Sequence, residues 1–308
     1  MQDSTVTERM RLDVFLAAMT DVSRVKAGAI IRAGGVLVNG RIARKPACIV
    51  QPGDWVTVTD NGEPASESHI SAVNLKLTVL YEDDACLVIN KPAGIAVHPA
   101  PGLKKDEPTI LHGIAFLFKK KHIPFSAATV LAHRLDRETT GCLLIAKSAQ
   151  SHAALQKQFK DRTIQKSYLA IVDGVPSAHE AHIDAPIGRS LANRTKMSIL
   201  GASQARSAKT TYRLLSAGKS AALLECDLHT GRTHQIRVHL SAIGHPVRGD
   251  ATYGSSQNTS LDHLYLHAWR LTFHSPATKK QLTVVAPLPT YFTKTLRTLS
   301  LTLSSRVA

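Results

Sequence analysis

Apolar residues near the amino end recur at helical spacing: Leu12, Phe15, Leu16 and Met19 fall three, one and three positions apart and predict a helix with one buried face. Ser23 stands as a candidate N-cap for a second helix, with Val25, Ala29 and Ile30 on one side and a stop at Gly34-Gly35. The period then changes. Val36-Leu37-Val38, Asn39-Gly40 and Arg41-Ile42 read as strand, tight turn and strand. Gln51-Pro52-Gly53-Asp54 turns into another strand, Trp55 to Val58. Residues 1–60 are therefore expected to form a small α/β unit. The polar, turn-rich run 61–75 reads as a linker, which leaves 76–308 as a larger domain.

In the larger domain, Leu77 to Leu80 and Ala85 to Ile89 predict strands, and Ile110 to Phe118 a helix. Leu143 to Ala146 is a short buried strand, and His152 to Lys160 a helix. Tyr168 to Val172 and Ala221 to Leu228 read as strands. Thr233 is placed to cap a helix through Ile236, Leu240 and Ile243 that ends at Gly244. Strands and helices interleave without a regular βαβ rhythm, so the expected class is α+β, not a doubly wound sheet.

Composition narrows the partners. The chain has 308 residues, 44% of them hydrophobic, and a net charge of +15. Such a charge favours polyanions, nucleic acid first. It is uneven: residues 1–60 contribute +2 and the rest +13. Between Asp184 and Glu225 there is no acid, but there are Arg189, Arg194, Lys196, Arg206, Lys209, Arg213 and Lys219. That segment reads as phosphate-facing. Cys48, Cys86, Cys142 and Cys226 form no CxxC pair, so buried reduced thiols are expected and structural zinc is not. The polar residues 1–8 give no signal core, and no long apolar run occurs. A cytoplasmic compartment without membrane contact is expected.

Three segments carry chemistry. His133 to Gly141 reads HRLDRETTG and leads straight into apolar residues. Asp136 there is either a positioned carboxylate or a surface acid paired with Arg134 or Arg137. In Lys166 to Val172, Tyr168 is a core aromatic, a platform for a base, or a proton donor. In Leu228 to His239, three His and two Arg surround a strand-to-helix junction. His234 and His239 are five apart and do not share a helix face as metal ligands would. Arg237, between apolar Ile236 and Val238, needs an anion, with Asp136 or an RNA phosphate as candidates.

HRLDRETTG resembles the signature of RluA-type pseudouridine synthases, usually HRLDxxTSG. KSYLAIV and GRTHQIRVHLSAIGHPVRGD are similar to the family's second and third motifs. Asn90 to Gly94, Val97-His98-Pro99, Arg194 to Met197 and Lys209 to Tyr212 also fit, in the right order, over about residues 75–295. One departure is Thr140, where the family usually has Ser. Arg11-Leu12-Asp13, Ser23-Arg24, Gly35 to Gly40 and Pro52-Gly53-Asp54 resemble the S-four-type RNA-binding module.

The resemblance implies a catalytic domain on a mixed, mainly antiparallel sheet with flanking helices. It implies isomerisation of uridine in RNA to pseudouridine, without a cofactor. Asp136 would be the catalytic carboxylate, by covalent addition or by taking a sugar proton, with Arg237 as its partner. Tyr168 would pack on the uracil, and Arg134 would fill the gap left by the flipped base. RNA contact is assigned further to Arg11, Arg24, Lys26, Arg194, Lys196, Lys209, Arg232 and His234. Ribosomal RNA of the large subunit is the favoured substrate, transfer RNA the second, and a monomer is expected. The rivals are an RNA-binding protein without catalysis and a methyltransferase. The second would need a glycine-rich cofactor loop, and no GxGxxG occurs.

Overall fold

The computed structural model describes residues 2–58, 70–99, 103–104, 107–127, 129–193, 196–254 and 262–303. The chain divides into two compact units, 1–70 and 71–308.

In the first unit, helices Leu12–Thr20 and Arg24–Ala33 pack on a four-stranded sheet. Its strand order is Gln2–Thr5, Trp55–Val58, Val36–Val38, Arg41–Ile42. Ser23 caps the second helix, its Oγ accepting from the Lys26 N–H, and Gly34 ends it in the left-handed region. Asn39 and Gly40 both have positive φ, as a two-residue hairpin turn requires. The second helix buries Ala27, Gly28, Ile30 and Ile31, whereas Val25 is 80% exposed. The expected apolar face was therefore rotated, because Val25 sits in the first turn beside the cap and points outward.

Of the expected linker, residues 61–69 lie outside the described residues. Residues 71–75 belong to the second unit: the Val73 N–H donates to His112 O, and Leu75 packs beside Gly113.

The second unit is built on a nine-stranded sheet. Its strands run Glu180–Asp184, Lys209–Ala217, Ala221–Leu228, Gln165–Asp173, Leu266–His274, Thr140–Ala146, Cys86–Lys91, Thr78–Glu82. Gln281–Val285 also pairs with Leu266–His274. All pairings are antiparallel except His267–Ala268 against Thr140–Gly141. The sheet is thus mixed and mainly antiparallel, and the class is α+β. Helix Ala149–Lys160 contributes Leu155 to an apolar layer with Val88, Leu144 and Phe273. Helix Thr290–Thr298 contributes Phe292 and Leu296 to a second layer with Leu169, Ile171, Leu223 and Trp269. Among the described residues, no helix is long and apolar enough to cross a membrane. Cys86, Cys142 and Cys226 are buried and free, while Cys48 is only half-buried.

The parallel step fixes one glycine. Gly141 has φ +108°, and a Cβ there would lie 2.2 Å from the Ala268 carbonyl oxygen. Neither the backbone angle nor the space admits a side chain. Gly141→Ala is expected to cost at least about 2–3 kcal/mol through strain alone. Thermal unfolding should then fall by about 4–12 °C for a domain of this size. An unchanged melting temperature would mean that the two strands do not approach this closely.

Candidate active site

The residues just before strand Thr140–Ala146 carry the first motif, and several anchors hold them. His133 Nε2 accepts the Leu144 N–H at 2.9 Å, which leaves the ring proton on Nδ1. Burial pulls this imidazole down to about 3, so it is neutral and structural. Leu135 is buried. Arg137 donates to Gly94 O and pairs with Glu107 at 2.9 Å and Glu138 at 3.6 Å. It is therefore not the partner of Asp136. Thr140 keeps the hydroxyl of the family's usual serine. His267 Nε2 faces the Ala286 carbonyl, so its Nδ1 accepts from Thr140 at 2.7 Å. The added methyl leaves that bond intact.

Lys91 lies beneath the same loop with no exposed surface. Its Nζ donates to Pro92 O, Arg137 O and Thr139 O at 2.8, 2.8 and 3.0 Å. Burial pulls the ammonium down to about 7, opposed by the charges of Glu138 and Asp136. Three carbonyl acceptors use all three donors of the ammonium, whereas a neutral amine has two. The geometry favours the charged form.

The third motif forms the facing wall. Helix Gln235–Ala242 is preceded by His234 at φ +56°, with no side-chain cap. Thr233 does not cap it. Gln235 organises the junction instead, accepting from the Arg232 N–H at 3.0 Å and the Thr230 hydroxyl at 2.7 Å. Its amide donates to Lys209 O and Thr210 Oγ1. A buried amide that bonds four groups outcompetes an exposed threonine. His239 is tied to Thr210 and Ala185 O, away from any shared site with His234.

Arg237 is buried and meets two carboxylates. Its Nε and Nη2 grip Asp250 bidentately at 2.7 and 2.8 Å, and its Nη1 reaches Asp136 Oδ2 at 3.2 Å. Burial opposes the arginine's charge, but the bonds and charge of Asp250, then of Asp136, more than offset it. Burial likewise works against Asp250, and Arg237 with the N–H groups of Thr252 and Tyr253 still holds its carboxyl below the usual range. The Tyr253 ring lies 5.1 Å from the guanidinium carbon. Its hydroxyl accepts the Met197 N–H and is 2.8 Å from His234 Nδ1. Burial lowers the His234 pKa, and Asp136 opposes that. The neutral ring accepts the tyrosine proton at Nδ1 and turns Nε2–H toward Asp136 Oδ2, 3.9 Å away.

These walls enclose a cleft of about 370 Å³, of ligand-site size. Asp136, Arg237, Tyr168, Arg134, Arg232 and His234 all line it. Tyr168 lies inside strand Gln165–Asp173, which begins three residues earlier than expected. Its phenol is raised well above its ordinary value by burial and by Asp136, so it stays protonated. Among the described residues its hydroxyl has no protein partner. The cleft thus offers an exposed edge of carboxylate, a fixed guanidinium, and an aromatic ring with an unused hydroxyl.

Other assigned RNA contacts lie elsewhere. Arg11 and Arg24 pair with Asp13, whose carboxyl is held at about 2, first by the Arg11 hydrogen bond. Lys26 is exposed on the second helix of the small unit. Lys196 donates to Thr252 O, and Lys209 pairs with Asp184. Arg213 pairs with Glu180 and Glu225. Two cations of the segment without acids, Lys209 and Arg213, therefore find counter-charges on neighbouring strands. Arg194 lies outside the described residues. Asp250, Lys91 and Tyr253 escaped assignment from sequence. Asp250 was in view as the end of the third motif, but nothing in the spacing paired it with Arg237.

Known proteins match this arrangement. Residues 85–242 match the RNA pseudouridylate synthase family, and 10–56 the S4 domain. The ribosomal large subunit pseudouridine synthase D of Zymomonas mobilis is 39% identical, over 92% of this chain and 93% of that protein. The uncharacterized RNA pseudouridine synthase YlyB of Bacillus subtilis is 37% identical, over 93% and 94% of the two chains. A solved structure, human RNA pseudouridylate synthase domain containing 4, superposes with a TM-score of 0.60 at 30% identity. That superposition covers 73% of this chain and 94% of the human one. The chain belongs to the RNA pseudouridylate synthase family, with an S4 domain ahead of the synthase region.

Proposed function

We propose that this enzyme converts uridines of large-subunit ribosomal RNA to pseudouridine, with Asp136 as the reacting carboxylate. The observation that carries the reading is the Asp136–Arg237 contact of 3.2 Å at the cleft. The reaction breaks the bond between the ribose and N1, turns the uracil, and rejoins it through C5. C5 loses its proton and N1 gains one, so there is no net redox change and no cofactor is called for. Asp136 begins the reaction ionised, whether it adds to the nucleotide or removes a sugar proton. Arg237, fixed by Asp250, orients that carboxylate. Tyr168 stacks on the freed uracil and, with its protonated hydroxyl, can donate a hydrogen bond to it. Arg134, exposed at the cleft, occupies the space vacated in the RNA. Flipping costs a few kcal/mol, offset by phosphate contacts from the basic surface and the small unit.

The choice of ribosomal RNA rests on the likeness to the Zymomonas ribosomal large subunit pseudouridine synthase D. Pseudouridine-specific labelling of RNA from cells with and without this protein tests it. Sites lost from large-subunit ribosomal RNA support the proposal. Sites lost from transfer RNA keep the chemistry and replace the substrate. No lost site, together with no pseudouridine formed by the purified protein on either RNA, overturns it.

A further inference from the structure

Most cations around the cleft already have partners. Arg237 is held by two carboxylates, Arg232 by Ser207 O, and Lys91 by three carbonyls. Among the described residues no hydrogen bond or ion pair holds Arg134, which is exposed, or Lys166. Lys166 lines the cleft, half-buried, in the same strand as Tyr168. Its Nζ is 5.8 Å from the centre of the Phe159 ring and 3.7 Å from where a Cβ on Gly231 would stand. Among the described residues it has neither an ion pair nor a hydrogen bond. The charged neighbour acting on it is Arg162, a second cation. A half-buried ammonium without an anion is costly, and burial pulls Lys166 down to about 8.

We propose that Lys166 forms a phosphate subsite that grips the RNA backbone next to the uridine held at Asp136. The inference rests on the pseudouridine synthase reading of this cleft. Two positions along a strand span about 6.6–6.8 Å. A nucleoside stacked on Tyr168 therefore carries its own backbone within reach of the lysine. A phosphate would restore the ammonium's lost solvation and offset the repulsion from Arg162. Uracil is neutral and its acceptors are carbonyl oxygens, a poorer match for an ammonium.

The test uses full-length enzyme and a synthetic RNA fragment containing a uridine mapped as above. Dissociation constants are measured against KCl concentration for wild type, Lys166→Met and Lys166→Arg, with single-turnover rates at saturation. Lys166→Met is expected to weaken binding about tenfold, with the saturating rate within twofold. Its log–log salt slope should be shallower by about 0.7–0.9, the loss of one phosphate contact. Lys166→Arg should restore both. A neutral methylphosphonate at one position flanking the uridine should weaken wild type equally and leave Lys166→Met unaffected. Unchanged affinity and slope in Lys166→Met, or a loss that falls on the saturating rate, overturns the subsite. Failure of wild type to form pseudouridine sinks the underlying reading instead, so the two outcomes are separable.

Discussion

Asp136→Asn is expected to abolish turnover while leaving the enzyme folded and bound to RNA. Release of tritium from RNA labelled at uracil C5 should fall at least about 10⁴-fold, as when a reacting side chain is removed elsewhere. The amide keeps the shape of the carboxylate and loses its charge, so it can neither add to the sugar nor take a proton from it. The structure explains why the fold should tolerate this. Arg237 retains its two bonds to Asp250, so the change leaves no buried cation unpaired. RNA affinity should stay within a few-fold, because phosphate contacts dominate binding. A melting temperature lowered by many degrees, or a large loss of affinity, would make Asp136 a structural ion pair instead.

Much of this site was legible in the sequence, and the limits have physical causes. Local signals served well: Ser23 as a cap, Asn39-Gly40 as a hairpin turn, and the apolar runs that became strands. The family signature brought Asp136, Tyr168 and Arg237 together, although they come from three separate segments. What failed was non-local. The partners of Lys209 and Arg213 sit on adjacent strands, so two cations of a run without acids in sequence are paired in the fold. Thr233 had the chemistry of a cap but lost to Gln235, whose partners Lys209 and Thr210 are over twenty residues away. Lys91 gave no sign of carrying the loop of Asp136, because its acceptors are backbone carbonyls and these leave no trace in composition. The match to a synthase family also displaces both rivals, the bare RNA-binding protein and the methyltransferase.

Asp250 separates two accounts of how Arg237 is held. If Asp136 were its main partner, Asp250→Ala would be a mild change. The geometry says otherwise, since two of the three guanidinium–carboxylate bonds go to Asp250, whose side chain has no exposed surface. Removing one partner of a buried pair typically costs about 3–5 kcal/mol. At about 2–4 °C per kcal/mol, Asp250→Ala should melt about 6–20 °C lower than wild type. Turnover should fall with it, because an arginine without its anchor no longer fixes Asp136. The loss carries a pH signature. A carboxyl held low in the fold contributes stability that is present above its ordinary value near 3.8 and fades as pH falls through the folded value. That part of the acid limb should be missing in Asp250→Ala. A double-mutant cycle gives the sharpest reading. Asp136→Asn should cost little stability in wild type but much more in Asp250→Ala, where Asp136 is the last anion facing Arg237. Strict additivity would mean that the two carboxylates do not share the guanidinium, and the account of the site given by these distances would fall.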